Sequence, residues 1–231
     1  MIGDGAALVL FARVPRAGAV KTRLTPWLSP AEALDLHRAL LEDSLALLRR
    51  AAAPGGARPV VSFSEPWDPR AEEAAGPLAA ACSGLDLLPQ RGGDLGERLE
   101  ATFADLREAG DRLVVVIGSD SPTLPMERIV SAFTLLRAGA EVVLGPAEDG
   151  GFYLIGTSRA GPGLLAGVPW GTRRVLEATA RALSGAGVRP ALLPSWYDVD
   201  LPADLERLRS DPGAPSGAAR TSALLARLRR D

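Results

Sequence analysis

Residues 6–11, Ala-Ala-Leu-Val-Leu-Phe, form an unbroken apolar run. A strand with one wet face alternates apolar and polar side chains. A run without alternation belongs to a strand buried on both faces, as in a parallel sheet covered by helices. Residues 113–117, Leu-Val-Val-Val-Ile, repeat the pattern inside a strand expected over 112–118. Between these runs the period changes. Ser29-Pro30-Ala31-Glu32 has the form of a helix start, with Ser as N-cap, Pro at the first helical position and Glu closing a capping box. Leu34, Leu41, Leu45 and Leu48 then mark one helical face.

The same reading places further strands at 58–63, 85–88, 141–145, 152–156 and 191–193. It places helices from Asp94, over 125–137, over 172–183 and after Pro202. Alternating strands and helices predict an α/β fold, a Rossmann-like open, mostly parallel sheet flanked by helices. Ligands of such sheets bind at the carboxyl ends of the strands. Residues 1–210 read as one domain. Residues 211–217 read as a Pro/Gly linker and 218–230 as a basic tail helix, together a 211–231 appendage.

Composition removes several chemistries. One Cys (Cys82) and one His (His37) cannot build a Cys/His zinc site, an iron–sulfur site or a disulfide within the chain. A metal would be held mainly by carboxylates, which points to Mg²⁺, Mn²⁺ or Ca²⁺, with Mg²⁺ or Mn²⁺ the expected cofactor. A net charge of −2 gives no sequence-wide field for nucleic acid or an anionic membrane. Residues 1–5 show no basic stretch before an apolar core, so no signal peptide and a cytoplasmic location are expected. Of 26 Lys and Arg, only Lys21 is Lys, and Gln90 is the single Gln. In a chain so biased toward Arg, the one surviving Lys is itself a pointer.

Arg13, Arg16, Lys21 and Arg23 crowd the loop just past the first strand, together with Gly18. Four cations there form a polyphosphate cradle: Arg supplies planar forks, Lys a compact point charge. The loop is not a Walker P-loop, because Pro15 and Val20 stand where that motif requires glycine. The expected nucleotide-binding set is Ala12, Arg13, Gly18, Lys21 and Arg23, joined by Gln90 and Asp94, with Asp94 also suited to cap a helix. Lys21, Arg23 and Asp120 are the expected catalytic residues.

Asp120 sits in Gly118-Ser-Asp-Ser-Pro122, at the end of the central strand, where a carboxylate can ligate a divalent cation bridging phosphates. Asp198 and Asp200 flank Val199 and share one face in extended geometry, so they are candidates to complete an oxygen-ligand site. Asp149, Gly150 and Gly151 join two strands. They suit either a tight hairpin or a sugar or acceptor pocket, to which Trp170 would add a wall. His37 and Cys82 read as scaffold, and Trp196 as core or rim packing.

The stretch Phe11-Ala-Arg-Val-Pro-Arg-Ala-Gly-Ala-Val-Lys-Thr-Arg-Leu24 resembles the opening signature of a bacterial glycosyltransferase-like family, the radical-SAM/selenodomain-associated transferase 1 type. Gly93-Asp-Leu-Gly-Glu-Arg-Leu99, Ile117-Gly-Ser-Asp-Ser-Pro122, 144–156 and Asp198-Val-Asp200 follow in that family's order, so the resemblance covers about residues 8–208. It implies the nucleotide-diphospho-sugar transferase (GT-A) fold and kinship with phospholactate and molybdenum-cofactor guanylyltransferases. By position it implies that Lys21 and Arg23 contact nucleotide phosphates, that Asp120 ligates the metal and that Asp198 or Asp200 assists. Two places depart from the pattern: Ser-Asp-Ser replaces an Asp-x-Asp motif, and Trp170-Gly171-Thr172 stands for Trp-Ser-Thr.

Three functions compete. The first is nucleotidyl, guanylyl-like transfer from a nucleoside triphosphate to a phosphorylated small molecule. The second is glycosyl transfer from a nucleotide-sugar to a small acceptor. The third is a non-catalytic nucleotide-binding module, which retention of function after Asp120→Ala would support.

Overall fold

The structure is a computed structural model and describes residues 5–25, 27–72, 76–159 and 163–228. The first four residues, part of the signal-peptide expectation, and the end of the expected tail helix lie outside the described residues. Strands β1 (Gly5–Ala12), β2 (Arg58–Phe63), β3 (Asp86–Pro89), β4 (Asp111–Gly118), β5 (Val142–Pro146), β6 (Phe152–Thr157) and β7 (Ala191–Leu192) form one sheet in the order β3-β2-β1-β4-β6-β5-β7. Pairing is parallel from β3 to β4 and between β5 and β7, while β6 runs antiparallel to both neighbours. The open, mostly parallel α/β sheet expected from the sequence is present.

Among the described residues the helices are α1 (Pro30–Ala52), α2 (Pro69–Glu72), α3 (Pro77–Cys82), α4 (Leu95–Glu108), α5 (Met126–Arg137), α6 (Val175–Gly185), α7 (Pro202–Ser210), α8 (Ala214–Gly217) and α9 (Ala219–Arg227). The apolar run of β1 divides between two cores, as burial on both faces requires. Leu8 and Leu10 pack with Leu41, Leu45 and Leu48 of α1 and Phe133 of α5. Ala7 and Val9 pack with Leu99 and Leu106 of α4 and Leu183 of α6. Ser29 and Glu32 make the reciprocal capping box at the start of α1.

The expected tail helix is present as α9 and is packed, while part of the expected linker is helical. Residues 214–217 form α8, and Ala218 and Leu225 are buried with Leu36 and Leu40 of α1. Helix α1 is therefore covered on a second side, which explains why it buries Leu36 and Leu40 besides the face that meets the sheet. Among the described residues no helix is long and apolar enough to cross a membrane.

Candidate active site

The loop after β1 is fixed by its apolar members. Val20 and Leu24 are buried, and a short 3-10 helix covers Thr22–Leu24. Lys21, between them, takes a left-handed backbone conformation with φ 49°, the one non-glycine residue with positive φ among those described. Such a conformation costs on the order of 1–3 kcal/mol and persists only where its surroundings enforce it. Here it carries the side chain into the protein, with 4% of the side chain exposed.

Lys21 Nζ donates to Asp120 Oδ1 at 2.5 Å, to the Val199 carbonyl at 2.6 Å and to Asp200 Oδ1 at 2.9 Å. All three ammonium protons are thereby used. Burial alone would lower the lysine pKa, but the charges of Asp120 and Asp200 outweigh it and hold the pKa above its ordinary value. Burial likewise works to raise the Asp120 carboxyl. The Lys21 ammonium overcomes this and keeps it below the ordinary carboxylate range. Chain segments far apart in sequence are aligned by a backbone bond from Val199 N–H to the Asp120 carbonyl, 2.8 Å. Val199 is buried while Asp198 and Asp200 face the cleft, the shared face expected of extended backbone.

Asp198 plays a different part from its neighbour. Its carboxyl oxygen accepts the Ser121 hydroxyl hydrogen bond. Burial pushes it up to about 7, against that hydrogen bond and with help from the charges of Asp120, Asp149 and Asp200. The three carboxylates named from the sequence therefore do not converge on one point, and no group of three acidic, His or Cys side chains suited to a metal occurs among the described residues. Asp120 and Asp200 do converge, and a cation, the Lys21 ammonium, already stands between them. That all-oxygen donor set, two carboxylates and a carbonyl, suits a hard divalent cation whose remaining ligands come from phosphate and water.

These groups open into a cleft of about 620 Å³ at the carboxyl ends of β1 and β4. One wall carries Arg13, Lys21, Thr22 and Arg23; the other carries Asp149, Gly151, Phe152, Trp170 and Arg173. Arg23 lies 3.8 Å from Asp200 Oδ2 and is otherwise exposed. Trp170 meets Phe152 edge-on, with ring centroids 6.1 Å apart. Asp149 Oδ1 accepts from Gly151 N–H at 2.8 Å, within the β5–β6 turn that Ala147 N–H closes on the Gly151 carbonyl at 3.0 Å.

Other expected site residues lie elsewhere. Gln90 does not line the cleft; its amide donates to the Ser62 carbonyl at 2.8 Å. Asp94 caps α4 through Glu97 N–H at 2.9 Å. Ala12 is buried in the core, and Gly18 makes a turn at φ 74° outside the cleft lining. Arg16 pairs with Glu65 at 2.8 Å instead of joining the cradle. Gly150, at φ 94°, makes room for the Arg173 carbonyl, which a Cβ would meet at 2.1 Å, and so lets two segments of the same wall pack together.

Sequence reasoning missed Ser121, Thr22, Arg173 and the wall position of His37. The His37 imidazole is buried, and burial lowers its pKa, so Nε2–H donates to the Arg13 carbonyl at 3.0 Å and steadies the basic loop. A histidine on a helix's apolar face carried no signal of that bond. Ser121 could have been found as the hydroxyl beside Asp120. Cys82 is buried, and burial pushes its thiol up to about 11, in keeping with the scaffold reading.

A family model described as an uncharacterized protein conserved in bacteria, DUF2064, matches residues 44–172. Among solved structures, the chain is similar to a protein of Desulfovibrio desulfuricans G20 provisionally described as a nucleotide-diphospho-sugar transferase. Identity is 29%, coverage 98% of this chain and 99% of that one, and the TM-score 0.79. A 4-diphosphocytidyl-2C-methyl-D-erythritol synthase shares the fold at 18% identity, 97% and 100% coverage and TM-score 0.55. So does the inositol-1-phosphate CTP transferase from T. maritima, at 12% identity, 95% and 97% coverage and TM-score 0.55. No functionally curated protein matches the sequence. The fold is thus that of nucleotide-diphospho-sugar transferases.

Proposed function

The chain belongs to the DUF2064 family, and from that premise we propose that it is a metal-assisted, nucleotide-dependent transferase that moves a nucleotidyl group from a nucleoside triphosphate to a phosphorylated small molecule. The observation that carries this reading is the convergence of Asp120 and Asp200 on one cationic position, directly beside the basic loop and at the carboxyl ends of parallel strands. Support comes also from the fold shared with an enzyme named as a CTP transferase and with one named for a diphosphocytidyl product.

In this reading Arg13 and Arg23 bind the triphosphate, with planar guanidinium groups matched to phosphate oxygens. Lys21 supplies a compact charge near the reacting phosphorus. Phe152 and Trp170 orient the acceptor, whose phosphate oxygen forms the new bond to the α-phosphorus as the bond to pyrophosphate breaks. Catalysis is then positioning and charge stabilisation, with no protein nucleophile. A divalent cation, Mg²⁺ or Mn²⁺, held by Asp120 and Asp200 would neutralise the phosphate charge.

The test is pyrophosphate release by purified protein with Mg²⁺, each of the four ribonucleoside triphosphates and a panel of sugar and polyol phosphates. Release with one base preferred, lost in Asp120→Asn, is expected. Absence of release with every pair overturns the reading. Glycosyl transfer from a nucleotide-sugar is the second reading, favoured by the description of the 29% identical, full-length D. desulfuricans structure. Stronger thermal stabilisation by a nucleotide-sugar than by any triphosphate would select it.

A further inference from the structure

We propose that the Lys21 ammonium and a divalent cation are alternative occupants of one oxygen cage, so that the chain admits the metal only with the phosphate that draws the lysine away. The inference rests on the nucleotide-dependent reading above and concerns how that site is regulated.

The cage is occupied by geometry. Oxygens from Asp120, Val199 and Asp200 surround Nζ at 2.5, 2.6 and 2.9 Å, one for each ammonium proton. A divalent cation bound by the same two Oδ1 atoms, of Asp120 and Asp200, would sit about 2.0–2.1 Å from each if Mg²⁺. It would therefore share the volume now filled by Nζ and meet its positive charge at close range, in a place where solvent screens little. The two cannot be bound together.

The lysine also has no cause to leave by itself. Its side chain is 4% exposed, and withdrawal without a new anion would leave the ammonium and Asp120 without their ion-pair partner and Asp200 with Arg23 alone, at 3.8 Å. A nucleotide phosphate in the same cleft provides that anion. Lys21 lines the cleft alongside Arg13 and Arg23. Buried Val20 and Leu24 on either side keep its left-handed backbone in place, so the exchange needs only the flexible four-carbon stem to swing. Metal entry and phosphate entry become one event, and the empty enzyme carries its own cation.

The test uses two readouts other than turnover. Mn²⁺ binding to nucleotide-free protein, followed by electron paramagnetic resonance, should be weak in wild type and about tenfold or more tighter in Lys21→Met. Lys21→Gln serves as a second variant should Lys21→Met fail to give a wild-type circular-dichroism spectrum. Because the chain has a single lysine, protein grown on [ε-¹³C]lysine reports that side chain as one NMR resonance. The resonance should stay put with Mg²⁺ alone and move when Mg²⁺ is added with the triphosphate that supports pyrophosphate release. Equal Mn²⁺ affinity in wild type and both variants overturns the exclusion. So does a resonance that keeps its position while Mg²⁺ and triphosphate are bound. The nucleotide-free Mn²⁺ comparison is independent of turnover: pyrophosphate release with equal Mn²⁺ affinities would sink the exclusion and leave the transferase standing, and tighter Mn²⁺ binding without any release would do the reverse.

Discussion

The indole of Trp170 rests directly on Gly96: a Cβ at position 96 would lie 2.9 Å from both Cζ2 and Nε1 of the ring. The contact joins the first turn of α4 to the wall of the cleft that faces the basic loop. Gly96→Ala should therefore displace Trp170. Alanine is the better helix former by up to about 1 kcal/mol, so the fold itself has no reason to weaken. The expected outcome is an unchanged or slightly higher melting temperature with about tenfold weaker acceptor binding, roughly 1.4 kcal/mol. Calorimetry of binding alongside thermal unfolding separates the two. A wild-type acceptor affinity would remove Trp170 from the acceptor wall.

The docking of α9 depends on one buried carboxylate. Asp43 accepts the Arg220 N–H at 3.1 Å and, through its other oxygen, the Thr221 N–H at 2.8 Å and hydroxyl at 2.7 Å. Asp43→Ala leaves those buried donors without an acceptor, at a cost of roughly 1–3 kcal/mol. Urea unfolding should show that loss, and limited proteolysis should cut the chain between α8 and α9 faster than in wild type. Asp43→Asn keeps one oxygen acceptor and should fall between the two.

These two contacts show where the sequence was and was not legible. Strands β1 and β4 and the start of α1 could be read because their signals are local: unbroken apolar runs and a capping box. The direction of β6 could not be read from its own residues, since a strand buried on both faces is apolar whichever way it runs; only the Asp149-Gly150 turn hinted at a hairpin. The packing of α9 was hidden because Ala218 and Leu225 look like any weakly amphipathic tail, and Asp43, their anchor, is more than 170 residues away. Rarity of residue type singled out Lys21, which lines the cleft. It singled out Gln90 as well, whose amide holds the Ser62 carbonyl of β2 and does not line the cleft. Rarity says that a side chain is needed, and only tertiary contacts say for what.

Stability should fall as pH rises through one specific window. Chiefly through burial, the Asp198 carboxyl is pushed from an ordinary 3.8 up to about 7. Between those values the folded state holds a proton that the unfolded chain has released, so the slope of unfolding free energy with pH is negative there. This contribution is greatest below about pH 4, declines toward pH 7 and is gone above it. Asp120 acts in the opposite sense, because its lowered pKa makes its contribution fade as pH falls through the acidic range. Asp198→Asn should abolish the decline between about pH 4 and 7 and raise the melting temperature at pH 8. An unchanged pH profile in that variant would show that Asp198 is ionised in the folded protein at neutral pH.

Lys21→Arg, the mildest change by charge, should be nearly as damaging to activity as Lys21→Ala. The cage around Nζ is made for a compact group: three oxygens of Asp120, Val199 and Asp200 take its three protons, and the side chain is enclosed. A guanidinium is planar and wider, and its five donors form a fixed fork, so it cannot point one atom at all three oxygens. Forced in, it would push Asp120 and Asp200 apart; kept out, it would leave both carboxylates without their internal cation. Either way the compact charge that Lys21 would bring to the reacting phosphate is lost, whether or not the carboxylates still take the metal. The expected loss is about 100-fold or more in kcat/KM for both variants, equivalent to roughly 2.7 kcal/mol of transition-state stabilisation. Steady-state kinetics with circular dichroism as a folding control provide the check. An arginine variant within a fewfold of wild type would mean that position 21 needs only a positive charge, and that the cage geometry has no part in the reaction.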